Sequence, residues 1–396
     1  MKRILFDFIT LQDRIINGGM LYTQKILTEL LKSEGTKIKL YGLYDRRIPM
    51  GEMVNDILKN HKIELINIRD KLFLRKVELL NIDVLFIGIA QRYNLFDLTG
   101  LKCMIFIVCH DLFDLSLKYF DIQKRKPIQT FLKKNLIVKK HFLKDFLKVI
   151  LKPALLIKRY FKAMKEERHS YDNFIKLIKQ DNVYVITSSE YSKYSILFFF
   201  GKLKNEIQIF YPPFANIGIF GFQSSSKDIQ ALTQNKKYFL LVSVDRVTKN
   251  LSVFINQWQS FCFATEYEYY CILIGSVKVD MKNCIILSHV NSNDLEYLYK
   301  NAFAVVYPSF IEGFGYPPIE AAAYSTPSIC SNVTSIPEIC GDMPIYFSPF
   351  YPEDLFRAML LMCEKRDYFI EKTKKRYKEI KAKQDNDLLK LLELLT

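Results

Sequence analysis

The 396-residue sequence contains no run of 18 apolar residues, so no membrane-spanning helix is expected. Its opening, MKRILFDFIT, carries Asp7 inside the apolar stretch and has no small-residue cleavage site. It reads as a first buried strand rather than a signal peptide. None of the eight cysteines (Cys103, Cys109, Cys262, Cys271, Cys284, Cys330, Cys340, Cys363) forms a CxxC pair, and several sit in apolar, strand-like runs. That pattern points to buried thiols in a reducing cytoplasm. The five histidines are scattered, which argues against a zinc site. The GxGxxG spacing of a dinucleotide fold is missing as well; Gly18 and Gly19 stand alone.

What is present is globular. Hydrophobic residues make up 49% and charged residues 25%, which excludes a disordered chain. The length exceeds one ordinary core, so two domains are expected. The formal charge is +15, and it is concentrated. Residues 118–168 hold 16 Lys and Arg against 4 Asp and Glu, a net +12, leaving +3 for the rest of the chain.

Short apolar runs alternate with helical spacing. KRILFDFI, KIKLYGLY, IELINI, VLFIGI and CMIFIVC read as strands, with MLYTQKILTELLK as a helix after the first. The basic segment 118–168 interrupts them with two or three amphipathic helices, broken near Pro127 and Pro153. NVYVITSS and EIQIFYPPF resume the strands around the helix YSKYSILFFFG. After a polar stretch the alternation restarts with YFLLVSV and continues as a regular strand–helix ladder to the helix PEDLFRAMLLMCEK. The fold class is therefore α/β: two doubly wound Rossmann-like domains facing across a cleft. The expected boundaries are 1–214 for the N-terminal domain, 215–236 for a linker and 237–380 for the C-terminal domain. A C-terminal helix follows at 381–396, with packing back onto the N-terminal domain as one option.

In such sheets ligands sit at the carboxyl ends of strands. SFIEGFGYPPIEAA, residues 309–322, follows the strand FAVVYPS. Gly313 and Gly315 let the backbone approach a ligand, and Pro317 and Pro318 suit the first turn of a helix whose N-terminus favours anions. A carboxylate such as Glu312 or Glu320 accepts hydrogen bonds from two vicinal hydroxyls, as a ribose offers them. A Gly-Pro turn with incidental surface acids fits the composition equally. VSVDRVTKNL places Arg246 and Lys249 just past another strand, suited to a diphosphate or to a solvated surface pair.

The stretch PSFIEGFGYPPIEAAAYSTPSICSNVTSIPEICGD resembles the donor-binding signature of retaining glycosyltransferases of family 4, which have the GT-B fold. That signature has two glutamates eight apart around a G-F-G-x-P-P core. The resemblance implies that Glu320 holds the donor ribose and that Glu312 acts catalytically at the donor sugar and phosphate. It also implies that the main chain at Gly313, Phe314 and Gly315 meets the diphosphate. VSVDRVTKNL is similar to the family loop whose Arg and Lys bind the diphosphate, which assigns Arg246 and Lys249; many members place the arginine earlier. FIVCHDLFDL resembles the HD at the end of a central strand, so His110 would face the donor sugar catalytically. Asp111 either joins it or caps the next helix. Gly19 would meet the donor phosphate or acceptor through its amide, or simply form a tight turn. TSSEYSKYS looks like a cleft-lining stretch with Ser189 and Glu190, though a helix cap explains both equally. LSHVNSNDLEYLYKNA is similar to the base-pocket segment, with backbone contact at Val290. No metal and no cofactor are expected; QDND near 386 is not a metal motif in this setting.

The implied activity is transfer of a sugar, with retention, from a nucleotide-diphosphate sugar to an acceptor hydroxyl. The acceptor would be a glycan or lipid-linked glycan, an intermediate of capsule, O-antigen or lipopolysaccharide core. The basic segment 118–168 is either a solvated helical surface or a patch that seats the protein on an anionic membrane. The second option implies a cytoplasmic protein, peripheral at the inner face of the cell membrane. Nucleic acid is not expected, because no recognised module is present and the aromatics lie on the apolar stripe. Two alternatives remain: a GT-B sugar-nucleotide epimerase, and a non-enzymatic basic membrane- or nucleic-acid-binding protein.

Overall fold

A computed structural model describes residues 1–12, 18–93, 96–112, 172–213 and 226–396. The basic segment 118–168 and the first part of the expected linker lie outside the described residues.

The apolar runs form strands in two sheets. The first contains β1 (Lys2–Asp7), β2 (Ile38–Tyr44), β3 (Glu64–Asn67), β4 (Val84–Ile87), β5 (Met104–Val108), β6 (Val183–Thr187) and β7 (Gln208–Ile209), in the order β3-β2-β1-β4-β5-β6-β7. β1 to β6 pair in parallel. The second contains β8 (Lys237–Val242), β9 (Tyr269–Ile274), β10 (Cys284–Leu287), β11 (Ala304–Tyr307), β12 (Ser328–Ser331) and β13 (Ile345–Phe347), in the order β10-β9-β8-β11-β12-β13, all parallel.

Strand β8 shows why these segments read as unbroken apolar runs. Successive side chains of a strand point to opposite faces. Phe239 and Leu241 enter a core with Trp258, Phe261 and Leu273, while Tyr238, Leu240 and Val242 enter a second core with Leu298, Tyr299 and Ala321. Both faces are covered, so both phases of the strand must be apolar.

In each sheet the strand order reverses once, at β1/β4 and at β8/β11. Loops leaving such a switch point diverge and leave room for a ligand.

Among the described residues the helices are α1 (Gly18–Leu31), α2 (Glu52–Asn60), α3 (Phe73–Leu79), α4 (172–178), α5 (Glu190–Phe200), α6 (Lys227–Thr233), α7 (Leu251–Ala264), α8 (Ser292–Asn301), α9 (Tyr316–Ala323), α10 (Ile336–Cys340) and α11 (Pro352–Leu395). Two compact units result. One comprises Met1–Ile15, Ser33–Ile186 and Ser195–Gln208; the other comprises Ile16–Lys32, Thr187–Tyr194 and Ile209–Thr396. The units thus do not follow the simple cut at 214 expected from the sequence.

Three further details differ from the sequence reading. The expected linker 215–236 includes helix α6, because Ser226 accepts from the Ile229 amide and caps it. The C-terminal segment is two helices that meet at a kink at Lys365 (φ −120°, ψ 24°), the second running unbroken across residue 380. Cys284 and Cys363 are only half-buried, whereas the other six cysteines are buried; all eight are free thiols. Among the described residues, no helix is long and apolar enough to cross a membrane.

Candidate functional site

The site is built from the loops that leave β8 and β11. After β8 the chain passes through Ser243 (φ 55°) and a single 3-10 turn, Val247–Lys249. Asn250, in the left-handed region at φ 49°, then starts α7. The turn sends Arg246 and Lys249 to different environments. Arg246 stays exposed, while Lys249 is only 7% exposed. The Phe310 amide donates to the Thr248 carbonyl at 2.9 Å, tying this loop to the one after β11.

Burying an ammonium is costly unless it is paired. Lys249 Nζ donates to Glu312 Oε1 at 2.6 Å and to the Tyr307 hydroxyl at 2.8 Å. It also lies 4.5 Å from the centroid of the Tyr307 ring, within cation–π range. Tyr307 is the last residue of β11, so the strand itself sets the position of its ring.

The acidic loop is held from several sides. The Glu312 amide donates to Thr334 Oγ1 at 3.1 Å, and Ser335 Oγ donates to the Glu312 carbonyl at 2.9 Å. The Gly313 carbonyl accepts from the hydroxyls of Ser188 and Ser189, each at 2.8 Å. Gly315 is in the left-handed region (φ 91°, ψ 65°), where glycine escapes the steric cost of a Cβ. Pro317 and Pro318 follow in the first turn of α9, positions whose missing N–H groups would have no helical partner anyway. Of the two glycines, only Gly315 has a positive φ. Gly313 contributes its carbonyl to the serines.

Glu320 lies on α9, half-buried, and Tyr299 of α8 donates to its Oε2 at 2.6 Å. Burial pushes its carboxyl above the usual range, and the Tyr299 hydrogen bond and the Lys249 charge act in the opposite direction.

The remaining expected residues fall as follows. The Phe314 ring is buried edge-on to Tyr211 and Tyr316, both at 5.3 Å, so only its main chain is available to a ligand. Gly18 and Gly19 open helix α1 rather than preceding it. A Cβ on Gly18 would come within 2.9 Å of the Tyr316 ring, so packing demands glycine at Gly18. The Gly19 carbonyl accepts from Thr23 Oγ1 at 2.8 Å. Ser189 caps α5 by accepting from the Ser192 amide at 3.1 Å, and it also braces Gly313. The amides of Glu190 and Tyr191 donate to the Glu338 carboxylate at 2.8 and 3.0 Å. Val290 lies half-buried in the turn before α8. Asp387 of QDND accepts from the Tyr211 amide at 2.9 Å and pairs with Lys383 at 3.0 Å. Among the described residues, no group of three or more His, Cys, Asp or Glu could hold a metal ion.

His110 belongs to the first sheet and follows β5. Its Nε2 lies 3.0 Å from the Gly88 carbonyl. A carbonyl only accepts, so Nε2 carries the proton and Nδ1 is the acceptor nitrogen. Burial lowers its pKa to about 4, against the opposing effect of the Gly88 hydrogen bond, so the ring is neutral at pH 7. Gln91 Nε2 donates to the Asp111 carbonyl at 2.7 Å. A helix capped by Asp111 would fall in residues outside the description. Next to this region Asp7, at the end of β1, accepts from the Gly88 and Thr10 amides, both at 2.9 Å, and from the hydroxyls of Thr10 and Tyr93, both at 2.5 Å.

Sequence reasoning did not single out Tyr299, Tyr307, Ser188, Thr334 or Ser335. The available signal was a tyrosine inside an apolar run, in LEYLYKNA and FAVVYPS, because a buried hydroxyl needs a partner.

Residues 222–384, which contain these loops, match the family model of glycosyl transferases group 1. The chain is 51% identical over 63 residues to the O-antigen chain mannosyltransferase B of Escherichia coli, covering 16% of each protein. It is 34% identical over 128 residues to the O-antigen chain mannosyltransferase RfbU of Salmonella typhimurium, covering 29% of this chain and 35% of that one. The matches therefore span well under half the length of these relatives. The fold is also similar to Anabaena Alr3699/HepE in complex with UDP-glucose, with a TM-score of 0.65, 12% identity and coverage of 100% and 99% of the two chains. Residues 222–384 thus belong to the glycosyl transferases group 1, and the chain as a whole has the GT-B fold.

Proposed function

We propose that the protein is a retaining glycosyltransferase that moves a sugar from a nucleotide-diphosphate sugar to a hydroxyl of a glycan or lipid-linked glycan acceptor. The observation that carries this reading is the cluster of Lys249, Glu312 and Tyr307 at the switch point of the second sheet. An ammonium has three donors. Two serve Tyr307 and Glu312, and the third serves the diphosphate. Negative charge grows on that diphosphate as the glycosidic bond breaks, and a fixed cation lowers the barrier most where charge develops. Exposed Arg246 adds a second cation, and the main chain around Gly313–Gly315 adds amides. Glu320 accepts from the ribose hydroxyls. His110, neutral at pH 7, takes part by hydrogen bonding to the donor sugar rather than by charge.

The names of the relatives, both O-antigen chain mannosyltransferases, support a surface polysaccharide as the product and mannose as a donor sugar to test first. The complex of the structural neighbour with UDP-glucose supports a nucleotide-sugar donor. Retention with a front-face course, metal independence, and seating of the basic segment 118–168 on an anionic membrane from the cytoplasmic side belong to the same reading.

A thermal-shift screen against UDP, GDP, ADP, CMP and their sugars tests it. A ligand at 100 times its Kd stabilises by about 2.7 kcal/mol. One nucleotide series is expected to raise Tm, with its sugar transferred to a lipid-linked glycan with retained anomeric configuration and in the presence of EDTA. If no nucleotide shifts Tm, the reading fails.

A further inference from the structure

Two charged groups of the site, Glu320 and Lys249, are each hydrogen-bonded to a buried tyrosine hydroxyl. Tyr299 is fully buried and donates to Glu320 Oε2 at 2.6 Å. Tyr307 is 1% exposed, and its hydroxyl accepts from Lys249 Nζ at 2.8 Å. Phenylalanine would fill either space without the cost of burying a hydroxyl. A glutamate's terminal torsion is broad and roughly two-fold, so an unheld carboxylate samples many orientations. Tyr299 occupies one oxygen of Glu320 and leaves Oε1 as the acceptor for a ligand. Tyr307 accepts one N–H of Lys249 while Glu312 accepts another, and so it helps set the direction of the ammonium.

We propose that Tyr299 and Tyr307 are positioning residues with separate tasks: Tyr299 orients Glu320 toward the ribose hydroxyls of a nucleoside diphosphate, and Tyr307 orients the Lys249 ammonium toward its diphosphate. The proposal rests on the nucleotide-sugar reading above.

The test is calorimetry on the full-length protein with UDP, GDP and ADP, their 2′-deoxy forms and the matching monophosphates. Wild-type protein is expected to prefer ribo over deoxy and diphosphate over monophosphate. Tyr299→Phe should reduce the ribo/deoxy preference about tenfold and keep the diphosphate preference, the loss of one hydrogen bond to a charged group. Tyr307→Phe should do the reverse. Each preference is a ratio measured on one preparation, so partial unfolding of a variant cancels. Unchanged ratios in both variants, or equal loss of both ratios in each, overturn the positioning roles and leave the nucleotide reading standing. Absence of binding of every nucleotide by wild-type protein overturns that reading, and the positioning roles with it.

Discussion

Lys249 Nζ and Glu312 Oε1 are 2.6 Å apart, although 63 residues separate them in sequence. Their side chains are 8% and 16% exposed. At that depth removal of one partner leaves the other as an uncompensated charge, which costs more than the net worth of the pair.

Lys249→Ala should therefore cost about 3 kcal/mol of stability, besides about 2 kcal/mol or more of donor affinity. The double change Lys249→Met with Glu312→Gln should be less destabilising than the sum of its single changes, because it removes both charges together. Urea denaturation of the four proteins measures this. Additive losses would show that the pair is not coupled.

Gly315→Ala should cost about 1–2 kcal/mol through its left-handed backbone alone. An added Cβ would meet Tyr307 at 3.6 Å, an ordinary contact, so steric collision adds little. Thermal denaturation gives the value. A neutral substitution would mean that the loop relaxes to another conformation.

His110 gives a signed pH dependence. Its folded pKa, about 4, lies below the ordinary value near 6.5. Between those values the unfolded chain binds more protons than the folded one, so stability falls as pH falls from about 6.5 to about 4 and is fully present above that window. In His110→Asn the loss of stability between pH 7 and pH 4.5 should be shallower. Equal slopes in the two proteins would show that the ring is not kept neutral by the fold. In the transfer reaction His110→Ala should lower turnover more than donor affinity.

Asp7 receives four hydrogen bonds, from the Thr10 and Gly88 amides and the Thr10 and Tyr93 hydroxyls. Burial still raises its pKa, outweighing those bonds. Asp7→Ala strands four buried donors, and should cost about 3 kcal/mol or more. A loss under 1 kcal/mol by urea denaturation would mean that water replaces the carboxylate.

Much of this was legible along the chain. The apolar runs of the second half form strands because both faces of a covered parallel sheet are dry, and the same dryness makes each run continuous in sequence. The glycine at Gly315 and the prolines after it marked a turn entering a helix through backbone geometry, a local property. The spacing of Glu312 and Glu320 was visible for the same reason. By contrast, Gly18 was not distinguishable from Gly19, since the choice depends on the Tyr316 ring almost 300 residues away. The helical run across residue 380 was cut in two because a helix's continuity depends on the surfaces it packs against as well as on its own spacing.

The sequence by itself determined the strand–helix alternation, the loops that follow the strands and the residue types they carry, because these depend on local propensity and hydrophobic period. Only the tertiary structure decided that Lys249 turns inward while Arg246, three residues away, stays in solvent. It alone decided that Tyr307 meets Lys249 and that Tyr299 holds Glu320. Those outcomes depend on which groups can satisfy a buried charge, and such partners meet only when separate strands and helices are packed together.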